Sequence, residues 1–242
     1  YANFIPFGGT FLIFSDYMRN SIRLSALSKC QVLYVLTHDS IALGEDGPTH
    51  QPISQLMSLR LIPNLNVYRP ADYFETIYCY KKSLTTKTTP SAFILSRQSL
   101  PTLENRDFKN IQKGAYILKS EDENSDIDLI LMASGSEVSI CIEASNKLQD
   151  MNINVRVVSM PCWELFEQQS DEYKESIFPK KIQNRISVEA GTTIGWSQFV
   201  GDKGVSIGIN EFGESAPGNI IMEKKGFSVE NICNTYKKFL ER

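Results

Sequence analysis

The chain is poor in histidine, with two in 242 residues, and lacks the features that define several classes of protein. No apolar run approaches the length of a membrane span, and the segment 1–7 does not have the pattern of a signal peptide. The net charge of −3 gives no reason to expect nucleic acid or an anionic membrane as the main partner. These absences leave a globular protein, and 42% hydrophobic residues are enough for a substantial core.

The five cysteines do not form the pattern of a disulfide framework or of a zinc site. They are odd in number and far apart, and no two share the Cys-x-x-Cys spacing of zinc ligands. We therefore expect free, buried thiols in a protein of the reducing cytoplasm. Their positions are Cys30, Cys79, Cys141, Cys162 and Cys233.

Short apolar runs alternate with amphipathic ones in the first hundred residues. The run VLYVL at 32–36 is continuously apolar, which is typical of a strand buried on both faces. Gly8-Gly9-Thr10 interrupts the chain, and Thr10 is expected to cap a helix. Repeated strand and helix patterns indicate a parallel sheet with right-handed crossovers. The predicted elements are helices 10–27, 53–61 and 71–84 and strands 32–36, 65–68 and 92–95.

A second α/β pattern follows a polar segment, 101–113, that is expected to be a linker. We therefore predict two α/β domains: 1–105 with a parallel sheet, and 114–242 with a smaller mixed sheet. An acidic turn at 121–126 is expected to join two antiparallel strands at the edge of the second sheet. The other predicted elements are strands 129–133, 154–158, 186–189 and 205–209, helices 136–150 and 163–176, and terminal helices near Gly218 and Glu230.

Polar side chains follow the ends of two predicted strands. Thr37-His38 directly follows the first strand and Ser96-Arg97 the third. Ligands of parallel sheets bind outside the carboxyl ends of strands. The loop after His38 also carries Asp46 and His50. If the two strands are neighbours, all four side chains meet on one rim. The imidazoles could exchange protons, Asp46 could accept hydrogen bonds from substrate hydroxyls, and Arg97 could bind a phosphate. The pattern suggests a polyol phosphate site; a core histidine, a capping aspartate and a surface arginine are the alternatives.

Long motifs then carry a resemblance to a known family. They are FGGTFLIFSDYMRNSIRLSAL, THDSIALGEDGPTHQPISQL, RPAD and LSRQSLP in the first domain, and ASGSEV, VEAG, GWSQFVG and GESAPGNIIMEKKGFSVENI in the second. In this order, over nearly the whole chain, they resemble transketolases. Members of this family use thiamine diphosphate to move two-carbon ketol units between sugar phosphates, such as xylulose 5-phosphate and an aldose phosphate.

The resemblance implies a cofactor pocket in the first domain. Phe11, Phe14 and Tyr17 match the aromatic positions that hold the aminopyrimidine ring of thiamine diphosphate. Their i, i+3, i+6 spacing would place them along one face of a helix, where they could form a stacking wall. A place in the hydrophobic core is the alternative for these three residues.

The resemblance also implies roles for the four polar residues of the rim. His50 matches the histidine beside the reactive centre of the cofactor, which is taken to assist proton transfers. His38 and Arg97 match residues that hold the substrate, with Arg97 at the sugar phosphate. Asp46 matches the acid that recognises a substrate hydroxyl.

Two other motifs are interpreted as structural. The turn 44–47, Gly-Glu-Asp-Gly, is similar to the Gly-Asp-Gly metal-binding signature of thiamine enzymes. The resemblance to transketolases instead places it in the substrate loop, and no asparagine follows at the spacing that would complete a set of metal ligands. No metal ligand is therefore expected in this chain. Ser134-Gly135-Ser136 resembles a phosphate-binding turn, and a plain strand-to-helix connection is preferred. Glu189 and Glu211 are expected to be hydrogen-bonded packing or interface residues.

The resemblance places much of the enzyme outside this chain. Transketolases have an amino-terminal domain that holds the diphosphate and Mg²⁺ or Ca²⁺, and a glutamate upstream of the position of Tyr1 contacts the pyrimidine. The site lies between two subunits, so we expect a homodimer and an inactive isolated chain. A proteolytic remnant, an engineered piece and one chain of a split enzyme are the possible origins, and the absence of an initiator methionine disfavours the split.

Other functions stay open. Deoxyxylulose phosphate synthase and oxo-acid dehydrogenase components share the fold. They are not expected to carry the full run THDSIALGEDGPTHQP together with LSRQSLP. A dihydroxyacetone synthase-like ketol transferase is a closer alternative. A non-catalytic assembly or regulatory module is the alternative from another class.

Overall fold

The first domain is built on four parallel strands. A computed structural model describes residues 4–103, 109–122 and 125–241. The strands lie in the order β1-β2-β4-β3, and every neighbouring pair is parallel, as the sequence predicts. In chain order the elements are β1 (Phe7–Phe11), α1 (Ser15–Leu27), β2 (Leu33–Thr37), α2 (Gln55–Arg60), β3 (Asn66–Tyr68), α3 (Tyr73–Thr85) and β4 (Ser91–Ile94).

The prediction of a helix that begins at Thr10 is wrong. The Gly-Gly-Thr segment belongs to β1, a short 3-10 turn follows at Leu12–Phe14, and α1 begins only at Ser15. Glycine disfavours strands in isolation, but β1 pairs with β2 over five residues, from Phe7 with Leu33 to Phe11 with Thr37. This pairing outweighs the low strand propensity of the two glycines, since strand propensity depends strongly on tertiary context.

The second domain has a mixed sheet of five strands in the order β5-β7-β6-β8-β9. The edge strand β5 runs antiparallel to β7, and the other pairs are parallel. The elements are β5 (Tyr116–Lys119), β6 (Leu129–Ala133), α4 (Glu137–Gln149), β7 (Val155–Ser159), α5 (Trp163–Glu167), α6 (Asp171–Ile177), β8 (Arg185–Val188), α7 (Ser197–Val200), β9 (Val205–Ile207), α8 (Gly218–Lys224) and α9 (Val229–Leu240). Two α/β domains with a parallel and a mixed sheet are therefore confirmed.

Two expectations for the second domain need correction. The acidic turn leads from β5 to β6, which are not neighbours because β7 lies between them; residues 123 and 124 of this turn lie outside the described residues. The single helix expected at 163–176 is two helices, because Ser170 starts α6 by accepting a hydrogen bond from the backbone N–H of Tyr173. Residues 104–108 of the expected linker also lie outside the described residues.

Four of the five cysteines are buried free thiols, and Cys30 is exposed. The expectation of burial is thus wrong for Cys30, which directly follows the turn after α1. Among the described helices, none combines the length and the apolar composition that crossing a membrane requires.

Apolar packing crosses the boundary between the domains. Ile41 and Ala71 of the first domain pack within the main core of the second. Cys162 and Leu165 of the second domain pack with Phe93 of β4. The two sheets therefore share buried apolar surface rather than standing as separate units.

A cluster of buried charged side chains also joins the two domains. Arg69, fully buried after β3, donates from Nη2 to Oδ2 of Asp39 (2.7 Å) and from Nη1 to Oε2 of Glu137 in α4 (2.5 Å). Arg60, at the end of α2, makes hydrogen bonds of 2.7 and 2.8 Å to the carboxylate of Glu189, which follows β8. We call these five residues the buried ionic cluster. Each arginine comes from the first domain and binds a glutamate of the second.

The guanidinium of Arg69 fills the Ser134-Gly135-Ser136 turn between β6 and α4. Its Nη1 donates to the carbonyl oxygen of Ser134 (2.7 Å). Gly135 has φ of +60°, and a Cβ at this position would lie 2.7 Å from Cζ of Arg69. A side chain of the other domain therefore occupies this turn, in line with the expectation that it does not bind phosphate.

The charges of the buried ionic cluster depend on one another. Burial alone would lower the pKa of Arg69, but Glu137 and Asp39 outweigh it and raise the pKa well above the ordinary value. Burial opposes ionisation of Glu189 as well, yet Arg60 holds its pKa below the usual range. Burial raises the pKa of Glu137, the third carboxyl beside two guanidinium groups. A proton on Glu137 would make the cluster electrically neutral.

We expect Arg69→Met to lower the free energy of unfolding by about 3–5 kcal/mol, because it leaves Asp39 buried without its charge partner. Lys181→Met is the matched control, since Lys181 and Asp126 form an ion pair in which both side chains are mostly exposed. Such exposed pairs contribute about 1 kcal/mol or less. Urea denaturation measures both, and equal losses of stability for the two variants would contradict this account.

Candidate active-site rim

The ends of three neighbouring strands bring the predicted polar residues together. Phe11, the last residue of β1, is paired with Thr37, the last residue of β2. Ile94, the last residue of β4, is paired with Leu36. His38 therefore leaves the sheet beside Phe11, and Arg97 follows the adjacent strand. We call this edge of the sheet, with the loop that follows β2, the rim.

The His38 ring is held on two sides. Its imidazole stacks on Phe11, with ring centroids 3.6 Å apart and an interplanar angle of 22°. Its Nδ1 lies 3.0 Å from Oγ1 of Thr37. The backbone at His38 has φ of +58°, a left-handed conformation that is uncommon for residues other than glycine. The neighbouring elements of the fold must stabilise this conformation.

His50 has a matching environment at the other end of the loop. Phe14 contacts its ring edge-on, with centroids 5.5 Å apart and an interplanar angle of 80°. The Nδ1 of His50 lies 2.9 Å from Oγ1 of Thr49. Both histidines of the chain therefore lie on the same aromatic row.

The aromatic row consists of Phe11, Phe14 and Tyr17, with successive ring centroids 6.0 and 6.2 Å apart. The expectation that one helix carries all three is wrong, because they come from β1, the 3-10 turn and α1 in turn. The core alternative does not hold for Tyr17, whose side chain is 87% exposed. Phe11 and Phe14 are half-buried, so the row offers aromatic surface at the rim.

Asp46 and Arg97 are both exposed at the rim. Among the described residues, neither side chain has a hydrogen-bond partner. Both nevertheless act on His38 electrostatically, which places them in its neighbourhood. Within the described ranges, no group of three or more histidine, cysteine, aspartate or glutamate residues is arranged to hold a metal ion.

The second domain supports the loop that carries Asp46 and His50, a contact that sequence analysis missed. The amide of Gln51 donates to the carbonyl oxygens of Gly44 (3.0 Å) and of Glu214 (2.9 Å). Gly218 approaches the same loop so closely that a Cβ there would lie 2.2 Å from the carbonyl oxygen of Ala42. The GESAPG motif at 213–218 is a sequence signal for this contact, because closely packed backbones need glycine.

The pKa of His38 lies below its ordinary value of 6.5. Burial is the largest cause, Arg97 is the second, and His50 acts in the same direction. Asp46 and Asp39 oppose the shift. The imidazole of His38 is therefore neutral near neutral pH.

These features define a thiamine diphosphate-type α/β domain followed by a second α/β domain, and comparison with known proteins agrees. Residues 1–102 match the family model described as "Transketolase, pyrimidine binding domain", and residues 114–228 match "Transketolase-like TK C-terminal domain". Transketolase of Halalkalibacterium halodurans is 49% identical over 238 residues, which is 97% of this chain and 35% of that protein. The chain belongs to the transketolase family, and it spans about a third of the length of the relatives it matches.

Solved structures show the same similarity. Transketolase of Pichia stipitis in complex with sedoheptulose 7-phosphate has a TM-score of 0.91 and 41% identity, over 97% of this chain and 34% of that one. A chain described as a split-gene transketolase in an inactive β4 tetramer matches with a TM-score of 0.77. The match covers 98% of the present chain and 77% of the split-gene chain. At 22% identity it shows a common fold alone.

We expect His38 to titrate with a pKa below 6.5, and we expect Arg97→Gln to raise this pKa. Because the unfolded state takes up a proton at higher pH than the folded state, His38 contributes stability that is present above pH 6.5. This contribution is lost as the pH falls through the folded-state pKa. NMR titration resolves the two histidines, and Arg23→Gln, at an exposed arginine of α1, is the control. A wild-type pKa at or above 6.5, or equal shifts in both variants, would refute this assignment.

Proposed function

We propose that the chain supplies the pyrimidine-binding half of the active site of a thiamine diphosphate-dependent transketolase. The whole enzyme would transfer a two-carbon ketol unit from a ketose phosphate, such as xylulose 5-phosphate, to an aldose phosphate in the pentose phosphate pathway. The observation that carries this proposal is the rim, which holds an aromatic row, both histidines, and a carboxylate and a guanidinium that make no hydrogen bond to other described residues.

The aromatic row fits the aminopyrimidine ring of thiamine diphosphate. Phe11 and Phe14 are half-buried and Tyr17 is exposed, so each keeps ring surface for a flat heteroaromatic group. When bound, the cofactor supplies the stabilisation of a carbanion that ketol transfer needs. The protein's contribution is to hold the ring and to surround the reacting atoms with defined polar groups.

The polar residues of the rim have separate tasks in this proposal. Arg97 binds the substrate phosphate, because its guanidinium is exposed and makes no hydrogen bond among the described residues. Asp46 accepts a hydrogen bond from a sugar hydroxyl, which selects one stereochemistry. His38 holds the substrate as a neutral donor or acceptor, and His50 is the catalytic residue that exchanges protons beside the reactive centre.

The remaining parts of the site would come from elsewhere in the enzyme. A preceding domain would hold the diphosphate and Mg²⁺ or Ca²⁺, and a second subunit would complete the site in a homodimer. We propose a cytoplasmic enzyme with domain limits of 1–105 and 114–242 in this chain. On this proposal the isolated chain binds thiamine diphosphate weakly and is inactive.

The two alternatives can be separated by measurement. A dihydroxyacetone synthase-like enzyme would prefer formaldehyde to an aldose phosphate as acceptor. A non-catalytic assembly module would have no use for Asp46 and Arg97, which make no structural hydrogen bond within the described part of the chain. The unpartnered state of these two groups therefore favours the enzymatic proposal.

The test is ketol transfer from xylulose 5-phosphate to ribose 5-phosphate with thiamine diphosphate and Mg²⁺. We expect no turnover from the chain alone, and turnover when an amino-terminal transketolase portion is added. In the restored enzyme, Asp46→Ala should lower kcat/KM about ten- to hundredfold, since a hydrogen bond to a charged group contributes about 1.5–3 kcal/mol.

Glu45→Ala is the matched control for this assay, because Glu45 is an exposed acid in the same loop. It should leave kcat/KM nearly unchanged. Turnover by the chain alone would contradict the proposed division of the site. Equal losses in the two variants would remove the role assigned to Asp46.

A further inference from the structure

Both histidines of the chain have the same kind of surroundings. The preceding threonine places its hydroxyl oxygen 3.0 Å from Nδ1 in Thr37-His38 and 2.9 Å from Nδ1 in Thr49-His50. A ring of the aromatic row contacts each imidazole, stacked on one and edge-on to the other. The same arrangement is therefore built twice, from one Thr-His pair where β2 passes into the loop and from a second pair further along that loop.

The contact between hydroxyl and imidazole can run in two directions. A neutral imidazole carries one proton, on Nδ1 or on Nε2, and a hydroxyl can either donate or accept. If the threonine donates to Nδ1, the ring proton is on Nε2. If Nδ1 carries the proton, the hydroxyl accepts it and its own hydrogen needs a further acceptor.

The surroundings of the threonines favour the first direction. Among the described residues, neither Thr37 nor Thr49 has a second hydrogen-bond partner for its hydroxyl. A hydroxyl that donates to Nδ1 uses its only hydrogen, whereas one that accepts leaves that hydrogen without a protein acceptor, which costs free energy at the part-buried Thr37. Thr49 is exposed, so the preference at that site rests on the intrinsic stability of the Nε2–H form. In addition, the Nε2–H form is the more stable tautomer of free histidine.

We propose that Thr37 and Thr49 are positioning residues that hold both imidazoles in the Nε2–H tautomer, so that each histidine presents a hydrogen-bond donor to a substrate oxygen. That the acceptor is an oxygen of a sugar phosphate rests on the function proposed above. The tautomer itself is inferred from the contacts of the two threonines in this chain and does not depend on that function.

The proposal assigns one working edge to each ring. Rotation of either imidazole by 180° would replace Nδ1 with a carbon and break the contact with the threonine. The Nε2 atoms of both rings make no hydrogen bond within the described residues, so they remain available. Any proton that His50 exchanges with substrate must then pass through Nε2.

The test uses the 242-residue chain without a polyhistidine tag, labelled with ¹⁵N in histidine only. Long-range ¹H–¹⁵N correlation spectra, recorded above pH 7 without cofactor or sugar, contain four ring nitrogens. We expect a protonated Nε2 and an unprotonated, strongly downfield Nδ1 for both histidines. A protonated Nδ1 in either ring, or an even mixture of tautomers, would overturn the proposal.

Variants then test whether the threonines cause the preference. Thr37→Val should shift only His38 toward a mixture of tautomers, and Thr49→Val only His50, whereas Thr→Ser at either site should keep the Nε2–H form. Thr37→Val should also raise the pKa of His38, since it removes a donor to the neutral form of that ring. An unchanged tautomer in a folded valine variant would overturn the role of that threonine.

The wild-type spectrum decides the tautomer even if a valine variant fails to fold. Because no cofactor or sugar is present, the result is independent of ketol transfer. Nε2–H spectra together with a failed transfer assay would refute the proposed function alone. A restored transfer activity with Nδ1–H spectra would refute this inference alone.

Discussion

The rest of this structure depends on one buried arginine. Arg69 has no exposed surface, and it joins Asp39 of the first domain to Glu137 of the second. Without Arg69, Asp39 would be an uncompensated charge in the interior, which is strongly destabilising. The contact is therefore both an internal bond of the first domain and the attachment of the second.

This attachment fixes the start of the rim. Asp39 directly follows His38, whose left-handed backbone turns the chain out of β2 and places the ring on Phe11. The same loop is tied to the second domain at two further places, through Gln51 near its far end and through Ala42, against which Gly218 packs. Ordering a loop costs about 1–2 kcal/mol of backbone entropy per residue, so these contacts offset a substantial loss of freedom. The hydroxyl of Ser215 in the second domain also donates to the carbonyl oxygen of Glu45 in this loop. On this account the second domain determines where the side chains of the rim lie.

Regular elements of the fold were predictable because their signals are local. The apolar runs at β2 and β6 are continuous, and both strands lie inside their sheets with neighbours on each side. The Gly-Gly-Thr segment of β1 failed because only its pairing with β2 makes it a strand. The break between α5 and α6 was missed because a single serine cap separates two amphipathic segments.

The site was partly predictable for the same reason. Parallel strands end at one edge of a sheet, so His38 and Arg97 could be expected on the same edge. That they lie on neighbouring strands, β2 and β4, is known only from the structure. The buried ionic cluster could not, because nothing in the sequence near Arg69 indicates that its partner is Glu137, 68 positions further on. Phe11, Phe14 and Tyr17 form a row of rings, but on a strand, a 3-10 turn and a helix, since their spacing fits this arrangement as well as a single helix.

Hydrogen exchange tests most directly whether the second domain holds the loop of the first. The measurement compares Glu137→Ala with Glu143→Ala, an exposed glutamate of the same helix. The account predicts faster exchange at the hydrogen-bonded amides of Leu43, Gly44, Gly47 and His50 in the first variant only. If faster exchange in Glu137→Ala were confined to α4 and its neighbours in the second domain, the claim that the buried ionic cluster positions the rim would be contradicted.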